Sequence, residues 1–371
     1  MPWGEIHGHD RNVELFRRAI ARGRMASTFL FAGPAGVGKR MFAMRLAQTL
    51  LCDKNPPENM DPCGECPACR QVLAGTHPDI HTVRKPEDRA YIPLELLIGG
   101  RENRNSGLCA DISTTPFCGK RKIAIFDDAD YLNVEGANAL LKTLEEPPAR
   151  SVLILIGTSV SRQLPTIRSR CQVVRFSPLD VATMEMLLRR RIESEKVAAA
   201  ASKRKTVSLP DESLIPMIAR NAHGSFQEAW EMAEPAFWEF RESFLQKLAG
   251  GFLDRVALAK DIETLLDAAG KKIPAVQRNL LRLVMECAAD FYGRLARFLA
   301  GETSFLQDET TWRSLMETAS KTWRHSAETA ADTAVRTLSK IELLQRNVHQ
   351  QTLVDAWLDE LVVVGEDGFW K

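Results

Sequence analysis

Residues 33–40 form a phosphate-binding loop in which one chemically important position is changed. They read Gly-Pro-Ala-Gly-Val-Gly-Lys-Arg, whereas the pattern G-x-x-x-x-G-K-[ST] has a serine or threonine where Arg40 stands. That hydroxyl normally holds Mg²⁺, which neutralises charge during phosphoryl transfer. Lys39 would reach the outer phosphates, and Arg40 could itself pair with phosphate. The loop therefore predicts a degenerate nucleotide site, with binding of ATP or ADP weak or absent, at Gly33, Gly36, Gly38, Lys39 and Arg40.

Two acidic residues at a strand end supply a second part of this candidate site. Ile123–Phe126 is an apolar strand candidate, and Asp127 and Asp128 follow it. A carboxylate at the carboxyl end of a strand beside a phosphate loop holds Mg²⁺ or its waters. A catalytic motor usually carries Asp-Glu here, and Asp128 is one methylene shorter than that glutamate. We predict that Asp127 is a residual metal-site carboxylate; the alternatives are a solvated acidic turn and a working base at Asp128.

Four cysteines have the spacing of a metal site. Cys52, Cys63, Cys66 and Cys69 give C-x₁₀-C-x₂-C-x₂-C, with proline and glycine between them. Thiolates at C-x₂-C spacing converge on one ion, and four sulfurs favour tetrahedral Zn²⁺ in a closed, structural site. An iron–sulfur cluster and a set of unligated thiols are the alternatives. The other cysteines are scattered and are expected to be plain buried or loop residues: Cys109, Cys118, Cys171 and Cys287.

The elements that must position these residues follow an alternating pattern. Strands are predicted at 28–32, 79–83, 123–126, 152–156 and 173–176, with helices at 39–51 and 134–146 between them. Such alternation is typical of a doubly wound parallel α/β domain. After residue 178 the strand pattern ends, and helices are predicted at 180–195, 211–245, 275–300 and 328–346. The segment 196–208 is predicted to be a mobile excursion, and 84–120 has no clear assignment.

Composition is that of an ordinary globular protein of several domains. The chain has 371 residues, 45% of them hydrophobic and 26% charged, and a formal net charge of +1. A chain of this length is expected to form two or three domains, and its charge indicates no global basic field for nucleic acid. No apolar run is long enough to span a membrane, and no signal peptide is recognisable at the N-terminus. We therefore expect a cytoplasmic protein with free or metal-bound thiols.

We predict an α/β core followed by two all-α domains. The core is expected over 1–177, with the zinc-binding insertion at about 52–69. A small helical domain is expected over 178–245, and a larger helical domain over 246–371.

Several motifs together resemble the clamp-loader AAA+ subunits of bacterial DNA polymerase III. Residues 138–148, Asn-Ala-Leu-Leu-Lys-Thr-Leu-Glu-Glu-Pro-Pro, are similar to the signature helix of that family, and residues 169–171 match its Ser-Arg-Cys motif. The cysteine insertion after the phosphate-loop helix is also shared within the family. Residues 74–79, the sequence Ala-Gly-Thr-His-Pro-Asp, resemble a non-motor subunit. The resemblance covers nearly the whole chain, specifically over 26–176 and loosely after 245.

The resemblance implies roles that the residues alone do not settle. From spacing alone, Arg170 is an exposed arginine at a domain edge; the resemblance makes it an arginine finger acting in trans on ATP of a neighbouring motor subunit. Gln227 takes the place of the motor's γ-phosphate-sensing arginine. Residues 346–348 resemble the family's C-terminal collar domain. Glu145 and Glu146 are interpreted as helix-end and interface residues rather than catalytic acids.

The implied function is that of a clamp-loader subunit without ATP hydrolysis of its own. Its implied partners are the motor (gamma/tau) and delta subunits in a hetero-oligomeric ring and, through the complex, the sliding clamp and primer–template DNA. A catalytically active, motor-like AAA+ ATPase is the first alternative. A zinc-bearing nucleic-acid-binding module is the second, although the modest charge and the lack of an aromatic–basic repeat weigh against strong direct DNA binding.

Overall fold

The fold was analysed in a computed structural model of the chain. The residues that the structure describes are 3–86, 89, 91–100, 106–118, 120–202, 209–251, 253–268, 274–306, 310–344 and 349–366. Residues 346–348, on which the collar resemblance rests, lie outside this set.

Five strands form one parallel sheet. They are β1 Thr28–Ala32, β2 Ile80–Val83, β3 Lys122–Phe126, β4 Ser151–Gly157 and β5 Gln172–Arg175. Their order in the sheet is β2-β3-β4-β1-β5, and every neighbouring pair is parallel. The carboxyl ends of all five strands therefore meet at one edge, where ligand sites of such sheets form. The predicted strands agree with the observed bounds to within one residue at either end.

Helices lie before, between and after the strands, and after β5 the regular structure of the described residues is helical. The helices of the first half are α1 Asp10–Ala21, α2 Lys39–Leu51, α3 Pro67–Ala74, α4 Glu95–Ile98, α5 Leu108–Ser113, α6 Val134–Glu145 and α7 Pro165–Arg168. The later helices are α8 Val181–Ser202, α9 Ile215–Asn221, α10 Phe226–Glu231, α11 Pro235–Gly250, α12 Arg255–Ala268, α13 Pro274–Leu299, α14 Thr310–Thr322, α15 Ala327–Leu344 and α16 Gln350–Glu366. Short 3₁₀ helices lie at Trp3–Glu5, Pro57–Asn59, Ala129–Tyr131, Glu212–Leu214 and Ser304–Leu306.

Both faces of the sheet are covered by helices. Side chains of a strand alternate between its two faces, so β1 contributes to two separate cores. On one face Phe29 and Phe31 pack with Phe16 of α1 and Phe42 of α2. On the other face Leu30 packs in a cluster that includes buried leucines of α5 and α6. All five residues of β1 are buried, which explains why the strand reads as a continuous apolar run.

The chain divides into two compact units. The first comprises residues 1–191 and 215–229, and the second comprises 192–214 and 230–371. The first unit contains the sheet and the phosphate loop. The predicted fold class, a parallel α/β core followed by all-α structure, is confirmed. The three-domain division at residues 177 and 245 stays a prediction.

The second unit is a helical bundle with an aromatic core. Helix α13 packs along α15, and α12 packs on α16. Trp357 of α16 is buried and its indole Nε1 donates a hydrogen bond to Thr337 Oγ1 at 3.3 Å. Arg282 of α13 binds Glu231 at 2.8 Å and Glu286 at 2.6 Å. Within the described part of the chain, no helix combines the length and the apolar character needed to cross a bilayer.

Two helix predictions are corrected by the structure. Residues 196–202 were expected to belong to a mobile excursion, but α8 continues to Ser202 because its alanines favour helix. The single helical stretch expected over 211–245 is divided into α9, α10 and α11. Gly224, with φ +79°, separates α9 from α10, and Pro235 begins α11. A glycine in the left-handed region ends a helix, and proline is favoured at a helix start.

Candidate functional site

The phosphate loop and the acidic strand end lie at the same edge of the sheet. The loop follows β1 and leads into α2, and Asp127 follows β3. Strand β4 lies between β1 and β3, so the two segments are separated by the width of one strand. The N–H of Gly33 donates to the carbonyl of Gly157, the last residue of β4, at 3.4 Å. The phosphate loop and the carboxylates after β3 therefore lie close together, as the sequence predicted.

The loop is packed so closely that only glycine fits at two of its positions. A Cβ at Gly33 would lie 2.8 Å from the Cβ of Phe176. Gly36 has φ +70°, and a Cβ there would lie 2.6 Å from the Cβ of Gln227. Because L-residues disfavour positive φ, both backbone conformation and space select glycine at Gly36. The loop conformation thus depends on α10 as well as on β1 and α2.

Lys39 is directed back onto its own loop. Its Nζ donates to the carbonyls of Gly33 at 2.6 Å and Pro34 at 2.5 Å, and the residue is only 7% exposed. Burial lowers the pKa of Lys39 to about 8, although the carboxylates of Asp130 and Asp127 act in the opposite direction. The cation that would contact outer phosphates is bound within the protein.

Arg40 pairs with the carboxylate predicted to hold metal. One guanidinium nitrogen of Arg40 lies 3.4 Å from Asp127 Oδ2, and the Asp127 side chain is 18% exposed. Asp128 is in the left-handed region at φ 60°. Burial, followed by the neighbouring Asp127 charge, raises the pKa of Asp128. The guanidinium of Arg40 therefore occupies the position beside Asp127 where a second magnesium ligand would lie, and a metal role for Asp127 stays a prediction.

A buried polar network beside these carboxylates was missed in the sequence. Asp130 Oδ2 accepts hydrogen bonds from the backbone N–H of Thr158 at 2.7 Å and from its hydroxyl at 2.6 Å. Gln163 Nε2 donates to the other oxygen of Asp130. The network joins the ends of β3 and β4 and fixes the acidic turn. Its sequence signal was the third acid after β3 and the threonine that follows β4.

His9 is a second residue that the sequence did not indicate. Its Nε2 lies 2.7 Å from the carbonyl of Val37 within the phosphate loop, and its ring meets Phe176 edge-on at 4.9 Å. A hydrogen bond to a carbonyl requires that this nitrogen carry the proton. His9 thus ties the segment before α1 to the loop. A lone histidine in sequence gives no signal for such a role.

Gln227 lies against the phosphate loop, as its place in the sequence motif requires. It belongs to α10, whose first residue, Phe226, donates its N–H to the carbonyl of Gly36 at 3.1 Å. The amide side chain carries no charge and forms a neutral contact where an arginine would carry a positive one. The loop, Asp127 and Gln227 are thus brought together by the fold.

Arg170 lies at the other end of the strands, where their amino ends meet. Its carbonyl accepts a hydrogen bond at 2.7 Å from Thr28 Oγ1, at the start of β1, whereas the loop follows the end of β1. The four steps between the five residues of β1, at about 3.3 Å each, separate the two ends by roughly 13 Å. The guanidinium binds Glu145 through Nε at 2.6 Å and through a terminal nitrogen, and it donates to Thr166 O at 2.9 Å. Arg170 is thus held away from this chain's own loop.

The four predicted metal ligands converge. The sulfurs of Cys52, Cys63, Cys66 and Cys69 all lie within 4.8 Å of one another, and Cys63 Sγ is 3.9 Å from Cys69 Sγ. Backbone N–H groups point at the sulfurs: Cys66 N donates to Cys63 Sγ and Cys69 N donates to Cys66 Sγ, each at 3.3 Å. Such N–H groups stabilise thiolates, so the donor set fits a tetrahedral thiophilic ion such as Zn²⁺.

The cysteine cluster is joined to the core by polar contacts around it. Gln48 of α2 donates to the carbonyl of Cys69 at 3.4 Å. Lys120, just before β3, pairs with Asp53 at 3.2 Å and donates to the carbonyl of Cys52. Asp53 Oδ2 in turn accepts from the N–H of Ala68 at 3.4 Å. The cluster therefore links α2, α3 and the approach to β3.

The part of the chain that carries these features is similar to subunits of DNA polymerase III. A family profile described as "DNA polymerase III, delta subunit" matches residues 8–180. A DNA polymerase III subunit delta' of Pseudomonas aeruginosa is 41% identical over 177 residues, covering 47% of this chain and 51% of that protein. The subunit delta' of Bacillus subtilis is 33% identical over 184 residues, covering 49% of this chain and 52% of that protein.

A gamma/tau relative is less similar in sequence. The DNA polymerase III subunit gamma/tau of Mycobacterium tuberculosis is 29% identical over 236 residues, covering 60% of this chain and 35% of that protein. The chain spans about half the length of the curated delta' relatives it matches. The profile match over residues 8–180 and the two delta' relatives show that about half of this chain is similar to the delta and delta-prime subunits of DNA polymerase III.

Proposed function

We propose that this chain is a clamp-loader subunit of the replicative DNA polymerase that does not hydrolyse ATP itself. It takes a place in a hetero-oligomeric AAA+ ring with motor (gamma/tau) and delta subunits, and helps load the sliding clamp onto primer–template DNA. In that ring it supplies Arg170 to the ATP site of a neighbouring motor subunit. The proposal extends the family relationship to a whole-protein activity.

The observation that carries the proposal is the ion pair between Arg40 and Asp127. Hydrolysis in phosphate-loop enzymes needs a loop hydroxyl and an acidic residue that share Mg²⁺. Here the hydroxyl is replaced by a guanidinium that neutralises the acidic residue at 3.4 Å. Gln227 of α10, which lies against the same loop, is uncharged. Three groups that would act on bound ATP are thus replaced or neutralised at the phosphate loop: the loop hydroxyl, the acidic residue and the arginine whose place Gln227 takes.

The location of Arg170 supports action on a neighbour. An arginine finger needs rigid positioning and a permanent charge, and both are independent of a working site in its own chain. Arg170 follows the one-turn helix α7 and lies at the sheet edge away from the phosphate loop. Its guanidinium is 30% exposed, so it is accessible at the surface of this unit.

We also propose that the cysteine cluster holds structural Zn²⁺. A four-thiolate site leaves no open coordination position for a water or substrate, so the ion would not act in catalysis. It would fix the insertion between α2 and β2.

The first test is ATP turnover by the purified chain. Without a shared Mg²⁺ site, we expect no phosphate release above that of the Lys39→Ala variant. Magnesium-dependent turnover that disappears in Lys39→Ala would instead establish a motor-like ATPase. That alternative has one point in its favour, since the gamma/tau relative aligns over a longer part of the chain than the delta' relatives do.

The second test is a reconstituted complex with the motor and delta subunits. We expect Arg170→Ala to lower DNA-stimulated ATP hydrolysis by about 10³-fold or more at the site that it completes, the scale known for arginine fingers. Arg168→Ala is the matched control, since Arg168 is an exposed arginine in the preceding turn. Equal rates for the two variants would remove the finger role. Failure of the chain to enter a stable complex would remove the ring assignment as well.

A further inference from the structure

A groove lined by arginines lies along α1, and none of its lining residues belongs to the phosphate loop or the cysteine cluster. Its volume is about 510 Å³, and its lining residues are Arg11, Glu14, Leu15, Arg18, Ala19, Arg22 and Arg24. Residues 10–24 contain five arginines and two acidic residues, so this segment carries a local charge of +3 in a chain whose net charge is +1. None of the roles proposed above uses this surface.

The acidic residue in the groove is already neutralised. Glu14 Oε1 accepts from Arg18 Nε at 2.7 Å, and Oε2 pairs with Arg17 at 2.9 Å. The hydrogen bond from Arg18 holds the pKa of Glu14 below its usual range. Among the described residues, no carboxylate forms an ion pair with Arg11, Arg22 or Arg24. Three guanidinium groups therefore keep their full charge and their hydrogen-bond donors for an external anion.

The arginines share one face of the helix. Arg11, Arg18 and Arg22 are spaced i, i+7 and i+11, and all three are exposed. At 1.5 Å per residue they span about 17 Å. Cations near a helix C-terminus stabilise the helix dipole, but Arg11 lies in the first turn, where a cation is unfavourable. Interaction with the helix dipole therefore does not account for Arg11 in this row of exposed arginines.

We infer that this groove binds the phosphate backbone of double-stranded nucleic acid. Guanidinium groups pair with phosphate oxygens bidentately, and a stripe of about 17 Å corresponds to roughly five phosphates of one strand, which follow one another every 3.4 Å along the duplex axis. No aromatic side chain lines the groove, so bases have no surface on which to stack, as single-strand binding would require. An acidic protein partner would need a larger apolar centre than Leu15 and Ala19 provide.

The expected binding is independent of sequence and sensitive to salt. Each arginine–phosphate contact releases about 0.9 counterion, so three to four contacts give a slope of log affinity against log salt of about −3. Fluorescence anisotropy of the full-length chain with a labelled random-sequence duplex, over a series of NaCl concentrations, measures this slope. Arg22→Glu/Arg24→Glu should bind at least about tenfold more weakly, with the slope reduced by about two.

Matched variants test whether DNA binding depends on the arginines of this groove or only on the net charge of the chain. Arg313→Glu/Arg336→Glu makes the same change in net charge at exposed arginines of α14 and α15, and should bind DNA as the wild type does. Arg11→Gln/Arg22→Gln removes charge without reversing it and should weaken binding to an intermediate degree. Equal binding by the groove variants and the wild type, or an equal loss in the control variant, would overturn the inference.

A competitor identifies the class of partner. A polyglutamate peptide of the same charge as the duplex should displace DNA poorly, because it lacks the regular phosphate spacing. If the peptide bound more tightly than DNA and lost affinity in Arg22→Glu/Arg24→Glu, the groove would be a protein-binding surface and the inference would be wrong. The experiment uses the isolated chain, so its outcome does not depend on the arginine finger or the ring.

Discussion

The cations of the phosphate loop are satisfied from within the protein. Lys39 is bound by the carbonyls of Gly33 and Pro34, and Arg40 is paired with Asp127. A nucleotide entering the loop would have to displace both sets of contacts, and each lost hydrogen bond to a charged group costs about 1.5–3 kcal/mol. The loop is thereby stabilised without a ligand, in agreement with the proposed loss of hydrolysis.

The buried ammonium of Lys39 gives a prediction about pH. Burial lowers its pKa to about 8, whereas the unfolded chain keeps the ordinary value of 10.5. Between these two pH values the unfolded state binds more protons than the folded state does. Below pH 8 the buried, charged ammonium of Lys39 destabilises the folded state by its full amount, and this destabilisation disappears as the pH rises to 10.5. The free energy of unfolding of the wild type, relative to Lys39→Met, should therefore increase across this window.

Denaturant unfolding of both proteins at several pH values within the window measures this difference. Subtraction of the Lys39→Met curve removes the titration of the other lysines and tyrosines. A difference that stays constant with pH would show that Lys39 titrates in the folded protein as it does in the unfolded chain, and a difference that decreases as the pH rises would show that folding raises its pKa; either result would contradict the prediction.

Sequence identified the residue types at the site but not all of their contacts. The substitution at Arg40 is visible in the motif, and so are the carboxylates after β3. The pairing of Arg40 with Asp127 depends on the strand order, which places β3 one strand away from β1. Likewise, the contact of Arg170 with Glu145 joins residues far apart in sequence and has no local signature.

At the scale of elements, strands were predictable and helix ends were less so. The three central strands β3, β4 and β1 are buried on both faces, so each appears as a largely apolar run. The division of 211–245 depended on Gly224, where only glycine fits, because φ is +79° and a Cβ there would lie 2.8 Å from the backbone nitrogen of Leu179. That contact is tertiary, and helix periodicity does not reveal it.

The contact between α10 and the phosphate loop gives the second prediction. Gly36→Ala should destabilise the protein by about 1–3 kcal/mol more than Gly23→Ala does, since overpacking in a dense region costs that much. Both glycines have positive φ, +70° and +61°, but a Cβ at Gly36 overlaps Ser225 and Gln227 while one at Gly23 meets nothing within 4 Å. The strain of positive φ is therefore common to both variants.

Chemical denaturation of both alanine variants measures the difference. Equal destabilisation would mean that α10 moves away without cost and does not shape the loop. In that outcome, Gln227 would have no fixed place beside the phosphate site, and the comparison with a γ-phosphate sensor would lose its structural basis.

At the scale of the whole molecule, the family relationship and the chemistry occupy the same unit. The profile match over residues 8–180 lies within the unit that carries the sheet, the degenerate loop, Arg170 and the cysteine cluster. The second unit is helical and carries none of these residues. The part of the chain that determines the proposed role is thus also the part with the clearest relatives.

The cysteine cluster determines how metal removal should affect this unit. The structural Zn²⁺ proposed there would connect α2, α3 and the approach to β3 through its four sulfurs and the contacts of Gln48 and Lys120. Binding of a metal to the folded state alone stabilises it, so loss of the ion should lower the midpoint of thermal unfolding. We expect one zinc per chain by elemental analysis, and none in Cys66→Ser.

Chelation provides an internal control for this prediction. A strong chelator should lower the thermal midpoint of the wild type to that of Cys66→Ser and should have no effect on Cys66→Ser itself. Cys118→Ser, which removes an exposed thiol outside the cluster, should bind zinc and respond to the chelator as the wild type does. Zinc retained by Cys66→Ser, or a chelator effect that is equal in both proteins, would place the metal elsewhere. Iron in place of zinc, with visible absorbance, would favour the iron–sulfur alternative, because the same four thiolates can hold either centre.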